Sequence, residues 1–126
     1  MILDSSAVAA VCLGESSAEE MISAMDTSEA LRMSAATYVE VAAVLDSRRP
    51  GALDIFMHGL AVEVVPVDPR QAELARTAYQ AFGKGSGHPA RLNFGDCFSY
   101  ALSIDFDEPL LFTGLDFGHT DVIPAR

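Results

Sequence analysis

Short apolar segments alternate with longer helical segments along this chain, and the alternation limits the fold more than any other feature. Four segments have the apolar or β-branched character of buried strands, namely residues 1–4, 31–34, 62–66 and 110–113. Enough chain separates each from the next for at least one helix, which is what a parallel crossover needs. We therefore expect an α/β domain in which helices cover both faces of a mainly parallel sheet through right-handed crossovers. Residues 121–124 are a candidate last strand at the sheet edge.

Capping residues mark the expected helix boundaries. Asp68 followed by Pro69 is a typical helix start, because Asp accepts from free backbone N–H groups and Pro suits the first helical position. Asn93 is the expected cap of a later helix that ends near Phe106 and carries Asp96 in its first turn. The free N–H groups and the helix dipole favour a carboxylate at that position.

Apolar spacing predicts which side chains face the core. In the helix expected at residues 35–48, four side chains are assigned to the inward face. They are Val39, Ala42, Ala43 and Leu45. Three aromatic side chains at the start of the Asp96 helix and inside it are expected to be core, unless a partner covers some of them. They are Phe94, Phe98 and Tyr100.

The composition indicates one globular domain covering residues 1–126, because half of the residues are hydrophobic and the chain is long enough for a real core. No apolar run approaches the length of a membrane span. The apolar start has no basic segment and is interrupted by Asp4, which argues against a signal peptide. Cys12 and Cys97 form neither a disulfide framework nor a zinc spacing. We therefore expect a cytoplasmic protein that does not bind membranes.

The formal net charge of −10 is a poor electrostatic match for nucleic acid, whose affinity depends on neutralising phosphates. Taken alone, it favours a basic partner or a cation. A role on nucleic acid therefore needs local positive groups or metal ions that offset the acidic field.

Four acids occupy similar structural edges. Asp4 ends the first strand, Glu40 lies in the first turns of the helix after the second, and Asp116 follows the fourth. Asp96 begins the helix that leads into the fourth strand, so its carboxylate is on the same side of the sheet. Ligands of open α/β sheets bind beyond the carboxyl ends of the strands. The pattern predicts that the four carboxylates surround one cleft.

Clustered carboxylates repel one another, so such a cleft needs protons or cations. Hard oxygen ligands select Mg²⁺ or Mn²⁺ over zinc, and a carboxylate-held Mg²⁺ is usually completed by water and substrate phosphates. The reaction that suits this site is phosphodiester hydrolysis, because a divalent ion activates water and stabilises charge on the attacked phosphate.

Four segments in order along the chain resemble the PIN-domain ribonucleases, and in particular the VapC toxins. The opening of the chain is similar to their first-acid segment, and the stretch before Glu40 to their second. The most specific resemblance is to the third-acid segment around Asp96, and the last is to their C-terminal segment. These segments are residues 2–7, 34–40, 87–101 and 110–122.

This resemblance implies a three-layer α/β/α fold with a central, mainly parallel five-stranded sheet, and an Mg²⁺- or Mn²⁺-dependent endoribonuclease toxin of a type II toxin–antitoxin pair. Asp4, Glu40, Asp96 and Asp116 match the acidic residues of the family as its catalytic set. Asp4, Asp96 and Asp116 are the expected metal ligands, and Ser6 matches the hydroxyl residue that supports the site.

The resemblance also implies partners. A cognate VapB-like antitoxin would have a DNA-binding half and a half that folds on the toxin and blocks the cleft. Homodimers and larger toxin–antitoxin assemblies are expected. The RNA substrate would meet few cations, and the candidates for RNA contact are Arg48, Lys84 and Arg91. RNA recognition would then rest mainly on shape and on splayed single-stranded bases.

One position departs from the family pattern. Relatives often carry Asp or Asn where this chain has Leu115, beside Asp116. The substitution removes a polar group near the expected metal site, so the choice between one and two metal ions stays open.

Three other functions remain to be weighed. A catalytically decayed PIN-fold module that only binds antitoxin and modulates repression is the first, with Leu115 as a sign of decay. A phosphatase of the aspartyl-phosphate type is disfavoured, because it needs a second Asp where this chain has Ser6. A flavodoxin-like receiver is weaker still, because it needs a strand-end Lys that the chain lacks.

Overall fold

A parallel sheet of four short strands lies at the centre of the computed structural model, which describes residues 1–126. The strands are β1 (Ile2–Leu3), β2 (Arg32–Ser34), β3 (Glu63–Val65) and β4 (Leu110–Leu111). Their order across the sheet is β3-β2-β1-β4, and every neighbouring pair is parallel. The predicted α/β class with a parallel sheet is confirmed.

Six α-helices and one short 3₁₀ helix connect the strands. They are α1 (Ser5–Leu13), α2 (Ala18–Met25), α3 (Ala35–Arg48), α4 (Ala52–Gly59), α5 (Pro69–Phe82), α6 (Asp96–Phe106) and the 3₁₀ helix Asp116–His119. Asp68 caps α5 as expected, since its side chain accepts from the N–H of Gln71 at 2.8 Å. None of these helices has both the length and the apolar character that crossing a membrane would require.

The strands bury both of their faces because successive side chains point in opposite directions. Leu3 and Leu111 pack into a cluster with the apolar sides of α1, α2, α3 and α4. Ile2 and Leu110 pack into a second cluster with α5 and α6. All four strand residues are fully buried, so the helices on the two faces close the sheet from both sides.

The expected fifth strand does not form, and the sheet has four strands rather than five. Residues 121–124 contribute only an isolated parallel bridge between Leu110 and Pro124. The residues just before that bridge are bonded elsewhere, because the Asp121 carboxylate accepts from the Tyr100 hydroxyl at 2.8 Å and the Val122 N–H points to Thr120 Oγ1 at 3.4 Å. Asp121 is therefore tied to α6, and the contact with β4 is limited to the backbone hydrogen bonds of Leu110 with Ile123 and Ala125.

The inward face of α3 also differs from the prediction. Leu45 is buried and Ala42 packs against the core, but Val39 is 65% exposed and Ala43 is exposed. The buried stripe follows the four-residue spacing of Thr37, Val41 and Leu45. A buried Thr hydroxyl needs a hydrogen-bond partner, and this one faces α6.

Leu45→Ala tests the packing of α3 on the sheet. Leu45 is fully buried, so we expect the substitution to lower the free energy of unfolding by about 2–5 kcal/mol through lost burial and a residual cavity. The adjacent Val44 is 41% exposed, and Val44→Ala should change it by no more than about 0.5 kcal/mol. Urea unfolding of both variants measures this, and equal losses would contradict the assigned face.

Candidate functional site

The carboxylate of Asp4 is nearly enclosed, with only 2% of the residue exposed. Asp4 follows β1 and caps α1, where its Oδ2 accepts from the Ser6 N–H at 3.0 Å and from the Ser6 hydroxyl at 2.7 Å. Its Oδ1 accepts from the Ser99 hydroxyl of α6 at 2.6 Å. Each carboxylate oxygen is therefore held by a serine, and the position of Asp4 is tightly defined.

The start of α6 places Asp96 beside this site. The Asp96 N–H donates to Asn93 Oδ1 at 2.9 Å, and the Asn93 N–H donates to Asp96 Oδ2 at the same distance. The helix begins at Asp96 itself, so Phe94 and Gly95 lie between it and Asn93, the residue expected to cap it. The reciprocal pair nevertheless satisfies free N–H groups as a cap does, and it fixes the Asp96 side chain at the mouth of the helix.

The Glu40 side chain of α3 lies against the residue that precedes α6. A β-carbon at Gly95 would lie 1.6 Å from Glu40 Oε2, so the carboxylate occupies the space that any larger residue there would fill. Glu40 Oε1 is buried and has no hydrogen-bond partner. Burial raises the pKa of Glu40, the Ser5 side chain opposes this effect by hydrogen bonding, and the charge of Asp4 raises the pKa further.

The charges of the other three acids all affect the pKa of Asp96. Burial raises its pKa from the ordinary value of 3.8 to about 6, opposed by the hydrogen bond from Asn93 and reinforced by the charges of Asp4, Glu40 and Asp116. Asp116 is exposed and lies in the 3₁₀ helix that follows β4. The charges of the other three acids therefore all act on Asp96, while the prediction that the four carboxylates surround one cleft stays a prediction.

The donor set is all oxygen, which suits Mg²⁺ or Mn²⁺ better than zinc. The unpartnered Glu40 Oε1 and the raised pKa of Asp96 both indicate a site that would gain from a cation or a proton. No group of three or more His, Cys, Asp or Glu side chains is arranged in the structure so that it could hold a metal ion. The assignment of Asp4, Asp96 and Asp116 as metal ligands therefore stays a prediction.

The three residues predicted to contact RNA are exposed basic residues on two different parts of the chain. Arg48, Lys84 and Arg91 are all exposed, and none forms an ion pair within the protein. Arg48 is at the opposite end of α3 from the Glu40 side, about 12 Å along the helix axis. Lys84 and Arg91 are in the segment that leads into α6, where the Lys84 N–H donates to the Leu92 carbonyl.

The surroundings of the site are apolar and partly aromatic. Phe94, expected to be core, is 74% exposed and packs only edge-on against Phe98, with ring centroids 5.0 Å apart. Tyr100 is buried as expected, and Phe98 is partly buried. Leu115 is 78% exposed beside Asp116. Phe94 is exposed because it precedes the helix, so the periodicity that buries residues of α6 does not apply to it.

Sequence reasoning missed three polar residues that organise the site. Ser99 and Thr37 are buried, and their hydroxyl oxygens lie 3.1 Å apart. The Thr113 N–H donates to Ser6 Oγ at 3.1 Å. Ser99 lies in an otherwise apolar stretch of α6, and a buried hydroxyl needs a partner. That was the available signal, but the partner itself is distant in sequence.

The amino-acid sequence is similar to a known family of domains and to named members of it. Residues 1–123 match the PIN domain family. Ribonuclease VapC28 of Mycobacterium tuberculosis is 52% identical over 126 residues, covering 97% of this chain and 95% of that protein. Ribonuclease VapC42 of the same organism is 47% identical over 129 residues, covering 99% and 98%.

Two solved structures share the fold at low sequence identity. VapC20 of Mycobacterium tuberculosis, a sarcin-ricin loop cleaving toxin, superposes with a TM-score of 0.75 at 19% identity, covering 99% of this chain and 98% of that one. A chain of a toxin–antitoxin complex from Klebsiella pneumoniae gives a TM-score of 0.74 at 15% identity, covering 99% and 97%. Sequence and fold agree that this chain belongs to the PIN-domain family, among its VapC ribonucleases.

Asp96→Asn tests the electrostatic coupling of the acids in protein without metal. Because the folded-state pKa of Asp96 is raised to about 6, the folded protein holds this proton more tightly than the unfolded chain does. The stability from this group is present below its unfolded pKa and is lost as the pH rises through about 6. The asparagine variant should therefore be the more stable protein at neutral pH, with a difference that shrinks towards about pH 4.

Urea unfolding in EDTA across this pH range measures the difference. Asp46→Asn, the same substitution at an exposed position of α3, serves as the control and should follow the wild-type profile. An Asp96→Asn variant that is less stable than wild type at neutral pH would contradict repulsion among the acids.

Proposed function

We propose that this protein is a metal-dependent endoribonuclease toxin of a type II toxin–antitoxin system, which hydrolyses RNA phosphodiester bonds. The observation that carries the proposal is the position of three acids around the start of α6. Glu40 lies against Gly95, Asp96 is fixed by Asn93, and Asp4 accepts from Ser99 one turn further along the helix. The names of the relatives, which are ribonucleases, support the reaction class.

Asp4 and Asp96 would hold Mg²⁺ or Mn²⁺ directly, and Asp116 would complete the site through water. When bound, such an ion supplies an activated water and positive charge for the attacked phosphate and the leaving oxygen. Ser6 supports this arrangement, because its N–H and hydroxyl both fix Asp4 Oδ2.

Glu40 and Asp116 would act through water. Glu40 has an unpartnered, buried oxygen that can accept from water, and its raised pKa suits proton exchange with it. Asp116, being exposed, would orient water or contact the ion through it. Attack by water on the scissile phosphate would leave a 5′-phosphate and a 3′-hydroxyl. Leu115 leaves no polar group beside Asp116 that could help to hold a second ion.

The proposed partners follow from the family and from the charge. A VapB-like antitoxin with basic residues in its toxin-binding half would complement the net charge of −10 and cover the acidic cleft. RNA would approach through Arg48, Lys84 and Arg91, with Lys84 and Arg91 placed on the segment that leads into α6. Homodimers, larger toxin–antitoxin assemblies and a cytoplasmic location belong to the same proposal.

Cleavage of RNA by the purified chain tests the proposal directly. We expect Mg²⁺- or Mn²⁺-dependent cleavage that EDTA abolishes, and a loss of at least about 100-fold in Asp96→Asn, because a direct ligand should matter more than its supporting residues. Asp46→Asn should cleave as the wild type does. Sequencing the cleavage ends in total RNA would identify the target.

The main rival is a decayed module that only binds antitoxin. It predicts no metal-dependent cleavage by the wild type, together with retained antitoxin binding by both wild type and Asp96→Asn. That result would replace the ribonuclease proposal.

Gly95→Ala tests the place of Glu40 in the reaction. The new methyl group would overlap the Glu40 carboxylate, which must move, while the backbone of Gly95 has an ordinary helical conformation that alanine adopts easily. We expect cleavage to fall about 10- to 100-fold, as misplaced catalytic groups do, with little change in stability.

Gly59→Ala is the matched control, because nothing lies within 4 Å of a β-carbon built at that position. It should keep wild-type cleavage. Full activity in Gly95→Ala would show that the observed position of Glu40 is not required for the reaction.

A further inference from the structure

Two serine hydroxyls hold Asp4, and they are not equivalent. Ser6 lies two residues away on the same turn, whereas Ser99 is 95 residues away on α6. Ser99 is fully buried and Asp4 is 2% exposed, so the two side chains meet away from bulk water. The long-range contact is the one that ties α6 to the end of β1.

The direction of the hydrogen bonds extends this tie to α3. An ionised carboxylate only accepts, so the single proton of the Ser99 hydroxyl points to Asp4 Oδ1. The Thr37 and Ser99 oxygens are 3.1 Å apart, and Ser99 has no second proton to give. Thr37, which is 1% exposed, must therefore donate to Ser99. The result is a one-way relay from Thr37 through Ser99 to Asp4.

The relay residues sit one helical turn from the other acids. Ser99 is three residues after Asp96 on α6, and Thr37 is three residues before Glu40 on α3. Residues three apart lie on the same side of a helix. The helices that carry two of the carboxylates are therefore connected to the third through buried hydroxyls beside those carboxylates.

We propose that Ser99 and Thr37 are positioning residues that set the spacing of Asp4 relative to Asp96 and Glu40. This inference rests on the proposed function, because the spacing matters only if the acids act together on an ion and a phosphodiester. Hydrogen-bond partners of metal ligands typically change metal affinity or activity by about 10- to 100-fold when removed.

Ser99→Ala is the central variant, and Ser103→Ala is its matched control. Ser103 lies one turn further along α6, is 3% exposed, and donates to the backbone carbonyl of Glu108 at 2.6 Å. Both substitutions remove a buried hydroxyl from the same helix, but only one removes a contact to Asp4. Calorimetric binding of Mn²⁺ alone, with kcat and KM for RNA cleavage, separates positioning from general packing.

For Ser99→Ala we expect Mn²⁺ affinity to fall about 10-fold or more and kcat to fall with little change in KM, while Ser103→Ala keeps wild-type values for both. Thr37→Val should weaken Mn²⁺ binding by a smaller factor. In the Ser99→Ala background Thr37→Val should add no further loss, because the relay is already interrupted.

The possible results separate a failure of the proposed function from a failure of the positioning role. Wild-type protein that neither binds Mn²⁺ nor cleaves RNA would overturn the proposed function and this inference with it. Wild-type protein that cleaves, with Ser99→Ala indistinguishable from Ser103→Ala, would overturn the positioning role alone. If Ser99→Ala does not fold, an unchanged Mn²⁺ affinity in Thr37→Val overturns it instead.

Discussion

A buried carboxylate is the constraint on which this structure depends. Asp4 has almost no contact with solvent, and a charge in that position is tolerable only when its oxygens are fully hydrogen-bonded. The three donors come from Ser6 and Ser99, and these are supported in turn by Thr113 and Thr37. The end of β1, the first turn of α1, the middle of α6, the start of α3 and the end of β4 therefore meet at one side chain.

The same arrangement places like charges close together. Asp96 is fixed by its reciprocal pairing with Asn93, and Glu40 lies against Gly95 with one oxygen unpartnered. Neither acid can move away from the other or from Asp4 without losing these contacts. Like charges held in this way repel one another unless a proton or a cation intervenes. The serine hydroxyls fix Asp4 and the pairing with Asn93 fixes Asp96, so the surrounding structure holds both acids in place.

Three exposed apolar side chains lie close in sequence to the acids. Val39, Phe94 and Leu115 are each exposed and each lie one or two residues from a site carboxylate. Cations are few, and none of the exposed basic residues is adjacent in sequence to these acids. The exposed side chains that lie closest in sequence to the acids are therefore apolar rather than basic.

The sequence by itself determined the parallel α/β class. It also singled out four acids, whose shared role stays a prediction, because strand ends and helix caps are local signals that a parallel sheet collects on one edge. It also marked the pairing of Asn93 with Asp96, which lies within a single turn. Only the tertiary structure decided that Asp121 bonds to α6 while the residues after it meet β4 at a single bridge, and that α3 buries Thr37 instead of Val39. The same holds for the contact of Ser99 with Asp4. These outcomes depend on which surfaces meet across the core, and a hydroxyl in an apolar helix does not reveal a partner 95 residues away.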